Sequence, residues 1–418
     1  MLTKGPRGTK DILPSDSYKW QHIEMVAREV SKNFGIGEIR TPIFEHTELF
    51  LRGVGETTDI VQKEMYTFLD KGERSITLKP EGTAPAARSF IENSLYVEQQ
   101  LKMFYITPCF RYERPQAGRL REFHQFGAEF FGAKGYEADA ELITLAITYL
   151  KKLGIKSLKV NINNLGCKEC RPRYNEALRE YLRSNIESLC TTCNDRFEKN
   201  PLRIIDCKNT GCKEIATGVP IIIDYVCDEC SEHFNGLKGE LDYLNIDYVV
   251  DPYIVRGLDY YTKTVFEIIS DNIGAQSTIC GGGRYDSLIE ECGGKPTPAV
   301  GFAIGLERLL LTLEAMGIDI PAPNGPELFI AAIGTQASIE ASKIALDLRL
   351  EGISCERDLL RRSIKAQMKY ANKLNSKYVI VIGENELKEN KVSLKNMETS
   401  EVTDINLDNI KQIMKDRI

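Results

Sequence analysis

Two segments separated by one short loop carry the most reactive chemistry in the chain. They are FRYERPQ from Phe110 and REFHQFGAEFF from Arg121, joined by the basic, glycine-containing AGRL. Read as paired β-strands, whose side chains alternate faces, they put Cys109, Arg111 and Glu113 on one face of the first and Gln125, Gly127 and Glu129 on one face of the second. A guanidinium, an amide and carboxylates converging on one sheet surface amid Phe and Tyr are costly to bury without partners. They point to a charged, zwitterionic or phosphorylated ligand gripped by charge-assisted hydrogen bonds, the alternative being an internal Arg111–Glu129 ion pair.

Further cations suit such a ligand: Arg119 and Arg121 flank the loop, Arg256 sits in VRGLDYY and Arg308 in FAIGLERLL. The chain has no G-x-x-x-x-G-K-S/T loop and no G-x-G-x-x-G after a strand, so a bound nucleotide would be held by guanidinium groups brought from separate elements. Arg308 lies beside Glu307 in a stretch that otherwise reads as a core helix, where an unpaired arginine is rare; a snorkelling side chain is the bland alternative. For Arg256 the alternative is a turn-flanking surface charge. For Gly281, Gly282 and Gly283, backbone packing competes with ligand approach.

Positioning these residues takes more than one core. The 418 residues predict two to four domains, and a formal net charge of −6 argues against whole-surface attraction to nucleic acid while leaving room for a local basic patch. No apolar run approaches the roughly 20 residues of a membrane span, and a reducing, cytoplasmic setting is expected. Residues 16 to 34 predict a helix with the apolar stripe Trp20, Ile23, Val26, Ala27, Val30 and Phe34, stopped by Gly35. Strands follow at EIRTPIF, SITLKPEGT, FYITPCFRYE and FHQFGAEFF, with a helix near 139 to 153, which predicts a mixed α/β body around an antiparallel sheet. Eight of the twelve cysteines (Cys167, Cys170, Cys190, Cys193, Cys207, Cys212, Cys227 and Cys230) fall in one stretch that reads as an inserted module. Their C-x-x-C spacings suit one or two four-thiolate zinc sites, with an iron–sulfur cluster or bare thiols as alternatives, and leave the pairing open. After the stiff linker IDIPAPNGP, strands and helices alternate, implying a separate α/β domain. The expected divisions are 1–325, with the insertion at 167–235, and 326–418.

In order, TPIFEHTELF, PEGTA, FRYERPQAGRLREFHQFGAEFFG, RGLDYYTKTVFE, GGGRYD and GFAIGLERLL resemble the motifs of class II aminoacyl-tRNA synthetases, and RGLDYYT with GGGRYD resembles the histidyl-tRNA synthetase family, of bacterial type, over nearly the whole chain. The resemblance implies a class II catalytic fold followed by an anticodon-binding domain, and formation of histidyl-adenylate from ATP, as its Mg2+ complex, and L-histidine before transfer to tRNA(His). It implies Arg111 at the α-phosphate, Arg119 or Arg121 and Arg308 at the outer phosphates, and Arg256 as a fixed catalytic cation. Glu81, Gly82 and Thr83 would bind the α-amino end of histidine and Gln125 the pocket floor. Glu129, Tyr260, Tyr261, Gly282 and Tyr285 would frame the imidazole. Arg114 and Gln116 would meet the tRNA acceptor end, and Arg361, Arg362, Lys365 and Lys369, expected on one helix, the anticodon. A homodimer joined through the TPIFEHTELF motif is implied as well. Two competing readings are a noncatalytic, histidine-sensing paralogue and a zinc-ribbon nucleic-acid-binding protein. The first tends to lose motifs retained here, and the second explains only the cysteines.

Overall fold

The structure, a computed structural model, describes residues 3–55, 58–97, 100–270 and 278–417. The chain divides into two compact units, Met1–Ile320 and Pro321–Ile418, and the break falls in the proline-rich linker.

The first unit is built on an eight-stranded sheet. In spatial order its strands are Gly37–Glu38, Leu101–Phe110, Glu122–Phe131, Ala299–Gly305, Thr278–Arg284, Thr262–Ile269, Lys159–Asn164 and Tyr248–Val250. All neighbours are antiparallel except the pair at each edge, which is parallel. The two long strands of the hairpin pair from Leu101 opposite Phe131 to Phe110 opposite Glu122, which sets Met103 across from Glu129 and Thr107 across from Gln125. The first strand ends at Phe110, so Arg111 and Glu113 follow in the connecting loop and do not continue its alternation.

One face of the sheet is covered by the helices Ser17–Asn33, Glu137–Lys152 and Leu306–Ala315, whose apolar stripes enter the main core with Phe126, Phe266 and Phe302. The first of these helices carries the expected stripe. It ends because Gly35 turns left-handed at φ 69°, letting the Ile36 amide reach back to the Ser31 carbonyl at 2.9 Å. The opposite face bears the helix Thr83–Glu92 and the insertion. The insertion has no core of its own: Tyr174, Leu178, Leu202 and Ile204 pack in one cluster with Tyr105, Phe131, Tyr260 and Val265 of the sheet side. A small second sheet pairs Phe44–His46, Ser75–Leu78 and Tyr66–Leu69.

The second unit has a five-stranded sheet in the order Cys355–Arg357, Leu328–Ala332, Tyr378–Ile382, Lys391–Asn396, Val402–Asn406. Its first three strands are parallel, and the last two form an antiparallel extension. The basic stretch after Leu360 departs from expectation. The helix begins only at Ile364, Arg361 is left-handed at φ 51°, and Arg362 turns back to pair with Asp358 at 2.5 Å and lies over the Tyr370 ring. The carboxylate of Asp358 caps this turn by accepting the Arg362 amide at 2.9 Å, which competes with helix there. Lys365 and Lys369 alone share the helix, one turn apart.

Candidate active site

A cavity of about 760 Å³ opens in the first unit, lined by the hairpin, the loop ahead of helix Thr83–Glu92, the Val255–Tyr261 segment and the insertion. Arg111, Arg119, Arg256 and Arg308 all line it, together with Glu81, Thr83, Gln125, Tyr260 and Tyr261.

At its base a carboxylate is held by hydroxyls. Glu129, fully buried, accepts from Thr83 Oγ1 at 2.8 Å, from Tyr105 OH at 3.0 Å and from Tyr285 OH. Burial raises its pKa to about 8; the Tyr285 and Thr83 hydrogen bonds pull the other way without cancelling it, and the charge of Glu81 adds to the rise. No ion pair with Arg111 forms. Arg111 Nε donates instead to the Pro80 carbonyl at 2.8 Å, and its guanidinium lies over the Phe123 ring. Glu81, likewise raised by burial, accepts the Thr83 and Ala84 amides at 2.9 and 2.7 Å, which fixes the first turn of the helix against the pocket. Gln125 Oε1 accepts the Gly82 amide at 3.2 Å.

Missing side chains shape this socket. A Cβ on Gly301 would lie 1.7 Å from Glu129 Oε2, and one on Gly82 or Gly127 would enter the Tyr105 ring at 2.3 and 2.4 Å. A Cβ on Gly281 would lie 2.0 Å from Arg256 Nη2, so the glycine cluster makes room for the guanidinium. Gly282 is packed against the Gly301 carbonyl and Phe266. Gly82, Glu129, Gly282 and Tyr285 stand behind the cavity wall, outside its lining.

Arg256 is half-buried and pairs with Glu267, which also accepts from Thr278 Oγ1 at 2.9 Å. Arg308 donates to the Thr278 carbonyl at 3.1 Å, and its pKa is lowered by burial and then by the neighbouring Arg119. Two guanidinium groups that repel each other in a cavity favour an anion between them. Arg121 is elsewhere: its guanidinium lies 3.8 Å from the Tyr112 ring centroid, Nε donates to the Glu113 carbonyl, and its stem packs on Gly8. Arg114 and Gln116 are exposed at the loop, where the Gln116 and Arg119 main chains pair across Gly118. Glu113, Glu64 and Glu267 line the cavity too, and Arg196, Arg203 and Lys208 enter it from the insertion.

The eight insertion cysteines separate into two sets, Cys167, Cys170, Cys227 and Cys230, and Cys190, Cys193, Cys207 and Cys212, each with its sulfurs within 4.8 Å of one another. Sγ–Sγ separations of 3.6 to 3.9 Å within the sets match the roughly 3.8 Å edge of a tetrahedron with metal–sulfur bonds of about 2.3 Å. The main chain supplies second contacts suited to thiolates: the Cys227 amide donates to Cys170 Sγ at 3.1 Å and the Cys190 amide to Cys212 Sγ at 3.3 Å. Both sets fit a metal ion. Cys190 and Cys207 of the second set also line the cavity.

Comparison with known proteins places this geometry. A family model described as Histidyl-tRNA synthetase matches residues 8–186 and 223–309, and one described as an anticodon binding domain matches 327–417. A protein named histidine–tRNA ligase from Caldanaerobacter subterraneus subsp. tengcongensis is 60% identical over 416 residues, 99% of this chain and 100% of its own length. The chain belongs to the histidyl-tRNA synthetase family. A Thermoanaerobacter pseudethanolicus histidine–tRNA ligase is 61% identical over 416 residues, again covering 99% of this chain and all of the relative. The crystal structure of apo Staphylococcus aureus histidyl-tRNA synthetase superposes with a TM-score of 0.85 at 41% identity, covering 99% of both chains. The match to the histidyl-tRNA synthetase model is interrupted between residues 187 and 222, the stretch that holds all four cysteines of the second set. Within the family frame, Glu267, Tyr105 and Arg203 are the site residues that motif reading passed over. Glu267 stands five positions after the TyrTyrThr motif's Thr262, a legible signal; Tyr105 and Arg203 carry none.

Proposed function

We propose that this cavity activates histidine and passes it to tRNA by the residues set out here. The chain is a ligase that attaches L-histidine to tRNA(His) through a histidyl-adenylate, with ATP, histidine and the tRNA as substrates. One observation carries the residue assignment. The buried, hydroxyl-held carboxylate of Glu129 lies one hydrogen bond behind a cavity that gathers six arginines, Arg111, Arg119, Arg256 and Arg308 with Arg196 and Arg203 of the insertion.

Before histidine binds, burial favours the protonated form of Glu129 at neutral pH; on binding that proton is released to solvent, the resulting carboxylate accepts the imidazole N–H, and Tyr260 and Tyr261 close on the ring while Tyr285 and Gly282 back it. Glu81, Gly82 and Thr83 receive the α-amino group and Gln125 bounds the floor. ATP, as its Mg2+ complex, lays its α-phosphate against Arg111 and Arg256 and its outer phosphates between Arg119 and Arg308. The histidine carboxylate attacks the α-phosphorus, the bond to the β-phosphate breaks, and diphosphate leaves with the bonding electrons. Charge developing on the phosphoryl oxygens meets guanidinium groups already in place. Arg121, packed on Tyr112, supports the loop from outside and takes no phosphate. The terminal hydroxyl of the tRNA then attacks the adenylate carbonyl and expels AMP, with Arg114 and Gln116 guiding the acceptor end. Lys365, Lys369 and Arg362 of the second unit face the anticodon.

The domains follow as 1–325 for catalysis and 326–418 for the anticodon, with the insertion at 167–235 stapled by two structural Zn2+ ions. The enzyme works as a cytoplasmic homodimer. The small sheet exposes Ile43, Phe44, Phe68 and Leu69 beside Pro42, which supports a subunit contact there. ATP–diphosphate exchange against a panel of all the amino acids tests the assignment: histidine alone should drive exchange, and absence of exchange from folded, metal-loaded protein would refute it.

A further inference from the structure

Arg256 must hold still to act, yet it lies in the irregular segment between strands Tyr248–Val250 and Thr262–Ile269, where no sheet ladder fixes its main chain. The insertion supplies the missing support. Arg203 Nη1 donates to the Arg256 carbonyl at 2.7 Å, and Asn200 Nδ2 donates to Asp259 Oδ1 at 3.0 Å. The Asp259 amide is in turn bonded to the Val54 carbonyl at 3.2 Å. Arg203 is only 5% exposed, lines the catalytic cavity, and has its Nε buried without a hydrogen-bond partner among the described residues. A guanidinium is a costly group to bury for packing alone.

The turn that carries it, Pro201–Ile204, lies between Cys193 and Cys207 of the second cysteine set. Arg196 ties the same stretch down twice, pairing with Asp59 at 2.9 Å and donating to the Arg203 carbonyl at 3.3 Å. Every one of these insertion residues falls in the part of the chain between the two matched stretches of the family model. We propose that Arg203 is a positioning residue for histidine activation, fixing the Arg256 main chain, and that the second cysteine set closes the loop that holds Arg203 there. The insertion is thereby a wall of the active site. The inference rests on the role assigned to Arg256 above.

The test compares Arg203→Gln, Arg203→Lys and Asn200→Ala with Arg256→Gln in the full-length, metal-loaded protein. Measurements are kcat and KM in histidine-dependent ATP–diphosphate exchange, deuterium uptake across residues 254 to 261, and metal per chain. Displacing a reacting group by a fraction of an ångström should lower kcat by about ten- to a hundredfold in Arg203→Gln with KM for histidine nearly unchanged. Uptake across 254 to 261 should quicken while metal content stays at the parent level. Asn200→Ala should move the same readouts less, and Arg203→Lys should restore part of kcat. Unchanged kcat in Arg203→Gln, or a loss accompanied by loss of metal, would overturn the positioning role. Full exchange in Arg256→Gln would bring down the underlying assignment instead.

Discussion

Replacing Glu129 by glutamine should make the catalytic unit more resistant to alkaline pH than the parent. Folding raises the pKa of this fully buried carboxyl from 4.5 to about 8. The stability associated with its protonated form is therefore fully present below pH 4.5 and lost as pH rises through 8. The interval of three to four pH units is worth on the order of 5 kcal/mol at about 1.4 kcal/mol per unit, and most of it, roughly 3 to 4 kcal/mol, falls between pH 5 and pH 8. Glutamine cannot ionise, so the difference between parent and Glu129→Gln isolates this contribution from every other titrating group. Trp20 is the single tryptophan of the chain, and it lies in the first helix with its ring against His124 at 5.1 Å, so its fluorescence reports the catalytic unit alone. Urea unfolding followed through Trp20 at pH 5 and pH 8 should show the parent losing roughly 3 to 4 kcal/mol relative to the variant. A difference that changes by less than about 1 kcal/mol between the two pH values would mean that Glu129 is ionised throughout, and the reading of its socket would fail.

The same variant should lose about ten- to a hundredfold in kcat/KM for histidine, the worth of a hydrogen bond to a charged acceptor, in exchange assays at pH 8. Gly281→Ala must push the Arg256 guanidinium off Glu267, because its Cβ would lie 2.0 Å from Nη2; exchange turnover should fall about a hundredfold, and parent-like turnover would show that Arg256 is not needed where it stands. In Arg308→Gln, KM for ATP should rise at least about tenfold while histidine affinity, read by calorimetry, holds; an unchanged KM would remove Arg308 from the phosphate site. Elemental analysis should find two zinc ions per chain, falling to one in Cys170→Ser, and a metal-free, fully folded parent would return the cysteines to bare thiols.

Much of the site was readable because periodicity and polarity coincide in it. The first helix follows its apolar stripe to Asn33, and the second hairpin strand carries Gln125, Gly127 and Glu129 in alternation, whereas the first strand stops at Phe110, short of Arg111 and Glu113. Where local pattern and long-range packing part company, sequence reading fails. Arg121 has the same composition and loop context as Arg119, and only the Tyr112 ring and Gly8 decide that it turns outward. The cysteine sets nest, Cys167 and Cys170 joining Cys227 and Cys230 around the whole of the other set, a choice no spacing encodes. Arg361 and Arg362 sit before a helix whose start is set by Asp358. Tyr105 stands in an otherwise apolar strand, and only the fold brings its hydroxyl to Glu129.

The four glycines that surround Glu129, Tyr105 and Arg256 also set how this enzyme can evolve. At Gly82, Gly127, Gly281 and Gly301 the smallest possible side chain already collides with a group of the site. Each is a one-codon-step target, since alanine is a single nucleotide change from glycine, and none of the four can be relieved by a neighbour shrinking, because the obstructing atoms are the functional groups themselves. Purifying selection on this enzyme should therefore bear hard on positions that have no side-chain chemistry of their own.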